Sequence, residues 1–139
     1  MAKAVKYCQP RVFLGGTQDS DWRDKLIPKL RIDYFNPLSH ELTPEFKDEI
    51  EQQKASCTFL LTVITPNFKD FEDTLRVVID SSKQPEKTLL YVLQLDNGKS
   101  YTEAELTNMN AIESLVYKNG AKTFGSMRQV AAWLNNVNE

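Results

Sequence analysis

The run Cys57-Thr-Phe-Leu-Leu-Thr-Val-Ile64 constrains the fold more than any other stretch of this chain. It is nearly all apolar, rich in β-formers and far too short to span a membrane. It also lacks the polar alternation of a strand with one wet face. Such a strand needs cover on both faces, which a parallel sheet flanked by helices provides. The neighbouring segments read accordingly. Arg11-Val-Phe-Leu14 is a short strand stopped by Gly15-Gly16. Ser20 can cap a helix carrying Trp22, Leu26, Ile27 and Leu30 on one face, with Pro28 shortening its last turn. Ile32-Asp-Tyr-Phe35 reads as a second strand ended by Asn36-Pro37, and Thr43-Pro44-Glu45 opens a helix to about Ala55.

Beyond the central run, Asp70 to Ser82 predicts a helix with Phe71, Leu75, Val78 and Ile79 at core spacing. Thr88 to Leu95 is a fourth strand ended by Asp96-Asn-Gly98. Thr102-Glu-Ala-Glu105 and Ser126-Met-Arg-Gln129 have the form of capping boxes. The first opens a helix that ends at Lys118-Asn119-Gly120 with a C-cap glycine; the second opens a last helix with Val130, Trp133, Leu134 and Val137. Between them Ala121 to Phe124 is a weak fifth strand. The alternation predicts an α/β, flavodoxin/Rossmann-like three-layer sandwich with a five-stranded parallel sheet in order 2-1-3-4-5.

Length and charge narrow the classes further. The 139 residues suit one domain over 1–139, and a 41% hydrophobic content is enough for one packed core. A formal charge of -2 without a basic stripe argues against a nucleic-acid polymer as partner. Two cysteines and one histidine make neither a disulfide framework nor a His-rich metal site. Residues 1–10 lack the apolar core of a signal peptide, so a cytoplasmic protein without a membrane partner is expected.

In an open parallel sheet, ligands bind beyond the carboxyl ends of the strands, near the switch in strand order. That points to Gly15-Gly16-Thr17-Gln18-Asp19, Asn36-Pro37, Thr65-Pro66-Asn67 and the loop after Leu95. The glycines allow close approach of backbone N–H groups to a ligand, and a helix N-terminus favours anions. No Gly-Lys-Ser/Thr follows, so this is not a P-loop, nor is it a GxGxxG fingerprint. Thr65 stands where a response regulator would carry its acceptor Asp, and the first loop lacks the hydroxyls of a flavodoxin phosphate loop.

Several short motifs, in order, resemble the nucleoside 2-deoxyribosyltransferase-like family. They are Phe13-Leu-Gly-Gly-Thr17, Asp21-Trp22-Arg23, Tyr34-Phe35-Asn36-Pro37 and Val63-Ile-Thr-Pro66. Val77-Val78, Asp80-Ser81, Pro85-Glu86-Lys87-Thr88, Gly120-Ala121 and Val130-Ala-Ala-Trp-Leu134 continue the match, which covers about residues 11–135. The resemblance implies cleavage of a nucleoside N-glycosidic bond by a carboxylate nucleophile, transfer of the sugar to a base or water, and no metal or organic cofactor. It also implies a possible homo-oligomer packed through helical faces.

The family glutamate falls in a Ser-Ile-Ala-Glu-like stretch that aligns without gaps on Asp73-Thr-Leu-Arg76. The nucleophile position therefore holds Arg76, a cation that cannot perform that step. The glycine usual before the helix is replaced by Asp70. Two readings follow: a nucleoside- or nucleotide-binding domain with impaired or altered catalysis, in which Arg76 suits a phosphate; or an enzyme whose carboxylate has moved to Asp73 or Glu72, one turn earlier on the helix. A third is an interaction module that keeps the fold without a small ligand.

The remaining candidates are balanced against simple structural roles. Asp21 could touch a ribose hydroxyl or act as a first-turn acid, Trp22 could be core or pocket wall, and Asn36 could meet a ligand or form an Asn-Pro turn. Gly15, Gly16, Thr17, Pro37, Thr65 and Pro66 belong to the expected ligand loops. Glu45 and Asp48 read as solvated, His40 as a structural loop residue, Tyr7 and Cys8 as peripheral, and Cys57 as a small core residue.

Overall fold

The computed structural model describes residues 9–39 and 43–137. Seven strands and five helices alternate as β1 (Arg11–Gly16), α1 (Trp22–Leu26), β2 (Asp33–Phe35), α2 (Pro44–Ser56), β3 (Phe59–Ile64), α3 (Glu72–Lys83), β4 (Thr88–Val92), β5 (Leu95–Asp96), β6 (Lys99–Ser100), α4 (Glu103–Lys118), β7 (Lys122–Phe124) and α5 (Met127–Asn135) among the described residues. The main sheet has five strands in order β2-β1-β3-β4-β7, every neighbouring pair parallel. That is the expected 2-1-3-4-5 order, with β7 as the fifth strand. No helix among the described residues is long and apolar enough to cross a membrane.

Side-chain alternation along the buried strands builds the three layers. Leu61 and Val63 of β3 join Val12, Leu14, Trp22 and Leu134 in the core under α1 and α5. Ile64 points the other way, into a core with Val77, Met109 and Val116 under α3 and α4. Leu60 and Phe13 form a smaller cluster with Cys57, where Ile50 of α2 packs against them. Helix α2 itself buries none of its residues fully.

Local chemistry explains most boundaries. Thr43 accepts the Phe46 N–H at 3.0 Å and Pro44 occupies the first turn of α2. Thr102 and Glu105 form the reciprocal capping box of α4, which stops before Gly120 at φ +104°. At α5 the expected box is only half formed. Ser126 accepts from Gln129 N–H, but the Gln129 side chain accepts from Gly125 N–H instead.

Three further readings need correction. Strand β1 continues through Gly15 and Gly16, which pair with Thr62 and Val63 of β3, instead of stopping before them. Strand β4 ends at Val92 rather than Leu95, because Asn97 (φ 52°) and Gly98 (φ 83°) form the turn of a separate small hairpin, β5–β6. The core face of α3 is also different. Thr74, Val77 and Ser81 are buried and Val78 is half-buried, whereas Phe71, Leu75 and Ile79 stand in solvent. Small hydroxyl residues can take the inner face because their polar atoms find partners. Ser81 donates to the Val78 carbonyl at 2.7 Å and accepts from Asn119, the C-cap of α4, at 3.0 Å.

Gly16 is the backbone position with least freedom for change. Its φ is +126°, and a Cβ there would collide with the backbone of Val63 on β3. Gly16→Ala is expected to cost about 3 kcal/mol or more, measured by urea unfolding. Gly15→Ala, whose Cβ meets only ordinary contacts with Leu61 and Phe13, is expected to stay within about 1 kcal/mol of wild type. Equal costs at the two positions would contradict the left-handed turn.

Candidate functional site

Gly15 on β1 pairs in register with Thr62 on β3. Both are small where the flanking residues, Phe13 and Leu60, are large, so the sheet is dented beneath α2 and α3. A cavity of about 360 Å³ occupies this dent. Its size falls in the ~300–1,000 Å³ range of small-molecule sites. Phe13 and Leu60 supply an apolar floor, and Pro37 and Leu38 an apolar end. Lys47, Asp48, Glu51 and Lys54 approach from α2, while Glu72, Asp73, Arg76 and Asp80 approach from α3.

Most of these charges are engaged. Arg76 Nη2 donates to Glu72 Oε2 at 3.2 Å, and its Nη1 lies 3.9 Å from Glu51 Oε2. Lys54 Nζ lies 3.6 Å from Asp80 Oδ2, with both side chains largely buried. Burial pushes the Lys54 ammonium below its ordinary pKa, a shift that Asp80 only partly opposes. Asp73 differs. Among the described residues it has no hydrogen bond or close ion pair, and burial raises its carboxyl above the usual range against the pull of Arg23.

Arg23 is the most deeply buried of the charged site residues that the sequence reading missed, which also include Lys47, Glu51, Lys54 and Asp80. Its side chain lines the cavity while the residue is only 3% exposed. Nε donates to the Leu14 carbonyl at 3.0 Å, Nη1 to Thr17 at 2.9 Å and Nη2 to Gly16 at 3.3 Å. The guanidinium also lies 4.4 Å from the centre of the Trp22 ring. Burial lowers its pKa to about 10, with Asp73 and Asp24 opposing. The signal was the position of Arg23 immediately after Trp22, just beyond the glycine turn, but helical periodicity gives no warning of a buried cation.

The structure divides the expected site residues into three sets. Gly15, Gly16, Pro37, Glu72, Asp73 and Arg76 line the cavity. Thr17 instead borders an adjoining cavity of about 160 Å³, which shares Gln18, Glu72 and Asp73 with the first. Asp21, Trp22, Asn36, Thr65 and Pro66 line neither cavity. Of the strand-end loops expected to meet a ligand, the one at Gly15 lines the cavity, while Asn36 and Thr65 do not. The reason is backbone satisfaction: buried turns must find partners for their N–H groups. Thr17 Oγ1 accepts from Thr65 N–H at 3.0 Å, Thr65 Oγ1 from Asn67 N–H at 3.1 Å, and Asn36 Oδ1 from Leu38 N–H at 3.0 Å. Trp22 is fully buried in the core, donating Nε1–H to the Thr17 carbonyl at 3.0 Å. Asp21 lies 3.6 Å from Lys25 Nζ.

Of the other candidates, Asp48 is exposed but reaches the cavity rim, whereas Glu45 is simply exposed. Cys57 is a buried core residue, its thiol raised in pKa by burial. His40, Tyr7 and Cys8 lie outside the described residues. No cluster of metal-ligating side chains occurs among the described residues.

A second buried charge braces the same edge of the sheet. Asp96 is 2% exposed, and its Oδ2 accepts from Asn67 Nδ2 at 2.9 Å. Burial alone would raise its pKa, but hydrogen bonds from Asn67, Ser20 and Thr65 outweigh that and lower it. A depressed carboxyl stabilises the fold fully above its unfolded value, near 3.8, and loses that contribution as pH falls through the lower folded value. Asp96→Asn is expected to cost about 1–3 kcal/mol at neutral pH and to lose less stability than wild type on acidification, read from urea midpoints at about pH 7 and pH 3. An unchanged acid limb would show that this carboxylate is not the group responsible.

No protein-family model matches the chain, and no curated protein does either, so the chemistry of the site is read from its own geometry.

Proposed function

We propose that this chain is a nucleoside 2-deoxyribosyltransferase-like domain that binds a nucleoside or nucleotide between α2 and α3, with catalysis at the usual nucleophile position lost. The observation that carries the reading is the dent made by Gly15 and Thr62 at the carboxyl end of the central strands. In parallel α/β sheets that is where ligands sit. The apolar floor of Phe13 and Leu60 suits the face of a base, and the polar wall of α3 suits a sugar or phosphate. Arg76 occupies the position where the resemblance expects the glutamate. It is cationic and held by Glu72 and Glu51, so it serves binding rather than covalent catalysis.

One observation favours a second reading, an active transferase or N-glycosidase. Asp73 is half-buried, borders both cavities and has no close ion-pair partner among the described residues. Glu72 is exposed and paired with Arg76, which makes Asp73 the better of the two relocated carboxylates.

Thermal shift with nucleosides and their monophosphates tests the proposal, since a ligand bound only to the native state raises the midpoint. Wild type is expected to respond and Gly15→Val, which fills the dent, is not. Monophosphates are expected to bind about 10- to 100-fold more tightly than the matching nucleosides, and Arg76→Ala to remove that difference. Absence of any shift would overturn the ligand reading and favour an interaction module. Release of free base from a deoxynucleoside is expected only at background; turnover that vanishes in Asp73→Asn would establish the enzyme reading instead.

A further inference from the structure

Inside the exposed rim of Lys47 and Asp48, the charged groups that wall the cavity are matched with one exception. Arg76 meets Glu72 and Glu51, Lys54 meets Asp80, and Arg23 is bonded to main-chain carbonyls. Asp73 is half-buried and has no hydrogen bond or close ion pair among the described residues. A second polar group is also unspent. Thr62 is only 9% exposed, its side chain lines the cavity, and its hydroxyl has no hydrogen-bond partner among the described residues.

Position along the sheet says what these two groups would meet. Phe13 pairs with Leu60, and Gly15 pairs with Thr62 two residues nearer the carboxyl ends of the strands, about 7 Å away. Asp73 lies at that same end, since it also borders the smaller cavity with Thr17 and Gln18 just beyond β1. A base lying on the Phe13 and Leu60 floor therefore sets its sugar over the dent, between Thr62 and Asp73. The Arg76 guanidinium, bonded back to Glu72, then takes the 5′-phosphate. A carboxylate only accepts, so its partners in a ligand must be N–H or O–H donors. Ribose offers two together, its 2′- and 3′-hydroxyls. Carboxylates hold ribose hydroxyls in dinucleotide sites of parallel α/β sheets.

We propose that Asp73 selects the sugar, accepting from both hydroxyls of a vicinal diol, so that the site takes ribonucleotides in preference to their 2′-deoxy counterparts. The assignment rests on the ligand reading above and gives Asp73 a binding role in place of a nucleophilic one. It also departs from the sugar that the sequence resemblance implies. A 2′-deoxyribose leaves one oxygen of a half-buried carboxylate unmatched, and charged acceptors are costly to leave without donors. Burial already holds the Asp73 carboxyl above its ordinary pKa despite the opposing Arg23, as expected of a carboxylate short of donors.

Isothermal titration calorimetry provides the test, with matched ribo- and 2′-deoxyribonucleoside 5′-monophosphates of the common bases. Wild type is expected to bind the ribo member of the best pair about 10- to 100-fold more tightly. The 3′-deoxy analogue of the same base is expected to lose a similar factor. Asp73→Asn keeps the side-chain volume and Asp73→Ala removes the contact. In both, checked for folding by circular dichroism, the ribo advantage is expected to fall below about threefold while the 2′-deoxy affinity changes little. Equal affinity for the two members of each pair in wild type overturns the diol assignment and leaves the ligand reading standing. So does a 3′-deoxy analogue that binds as tightly as the ribonucleotide, and so does a ribo preference that survives in either folded variant. Binding by neither series overturns the ligand reading itself, and the diol assignment with it.

Discussion

The guanidinium of Arg23 lies under the turn that ends β1, bonded to the carbonyl oxygens of Leu14, Gly16 and Thr17. A buried cation is costly unless its donors are matched, and here main-chain acceptors and the Trp22 ring provide the matching. The Thr17 carbonyl receives both Arg23 and Trp22. The Thr17 hydroxyl receives Thr65 N–H from the turn after β3, the Thr65 hydroxyl receives Asn67 N–H, and the Asn67 amide binds the buried Asp96 carboxylate. One polar chain thus crosses the carboxyl edge of the sheet from cation to anion. It tethers the segments that follow the three neighbouring strands β1, β3 and β4 to each other.

This arrangement separates holding from binding. Thr17, Thr65 and Asn67 are spent on the backbone of the edge, which leaves the cavity to be walled by small strand residues and by charged side chains of α2 and α3. Those helical charges meet mainly in pairs, Lys54 with Asp80 and Arg76 with Glu72 and Glu51. Exposed pairs of the Arg76 kind contribute little stability. They can therefore exchange partners with a ligand at small cost, whereas breaking the bonds of the buried Arg23 would strand a charge with its acceptors.

Much of the fold was legible because its determinants are local or periodic. The Cys57–Ile64 run announces a strand covered on both faces, and Thr43-Pro44, the Thr102 to Glu105 box and Gly120 mark helix ends by chemistry confined to a few residues. The helix after β3 shows the limit. Phe71, Leu75 and Ile79 carry the stronger apolar signal, yet the inner face belongs to Val77 with Thr74 and Ser81, whose hydroxyl bonds within α3 and gains its second partner, Asn119, only once α4 is alongside. The site was legible as a region rather than as a set. Gly15, Gly16 and Pro37 were within reach of the strand-end argument. Arg23 and Asp96 were not, since burying a charge depends on acceptors or donors brought from distant segments.

The Gly15–Thr62 pairing has a consequence for the order in which this protein becomes competent. The dent exists only when these two residues stand opposite one another, and a slip of one residue between β1 and β3 would turn each side chain to the other face. The cavity is therefore a readout of correct register. Mispaired or partly paired chains contain no such space, and a ligand that enters it acts on the folding equilibrium as a selector of one strand alignment over all others.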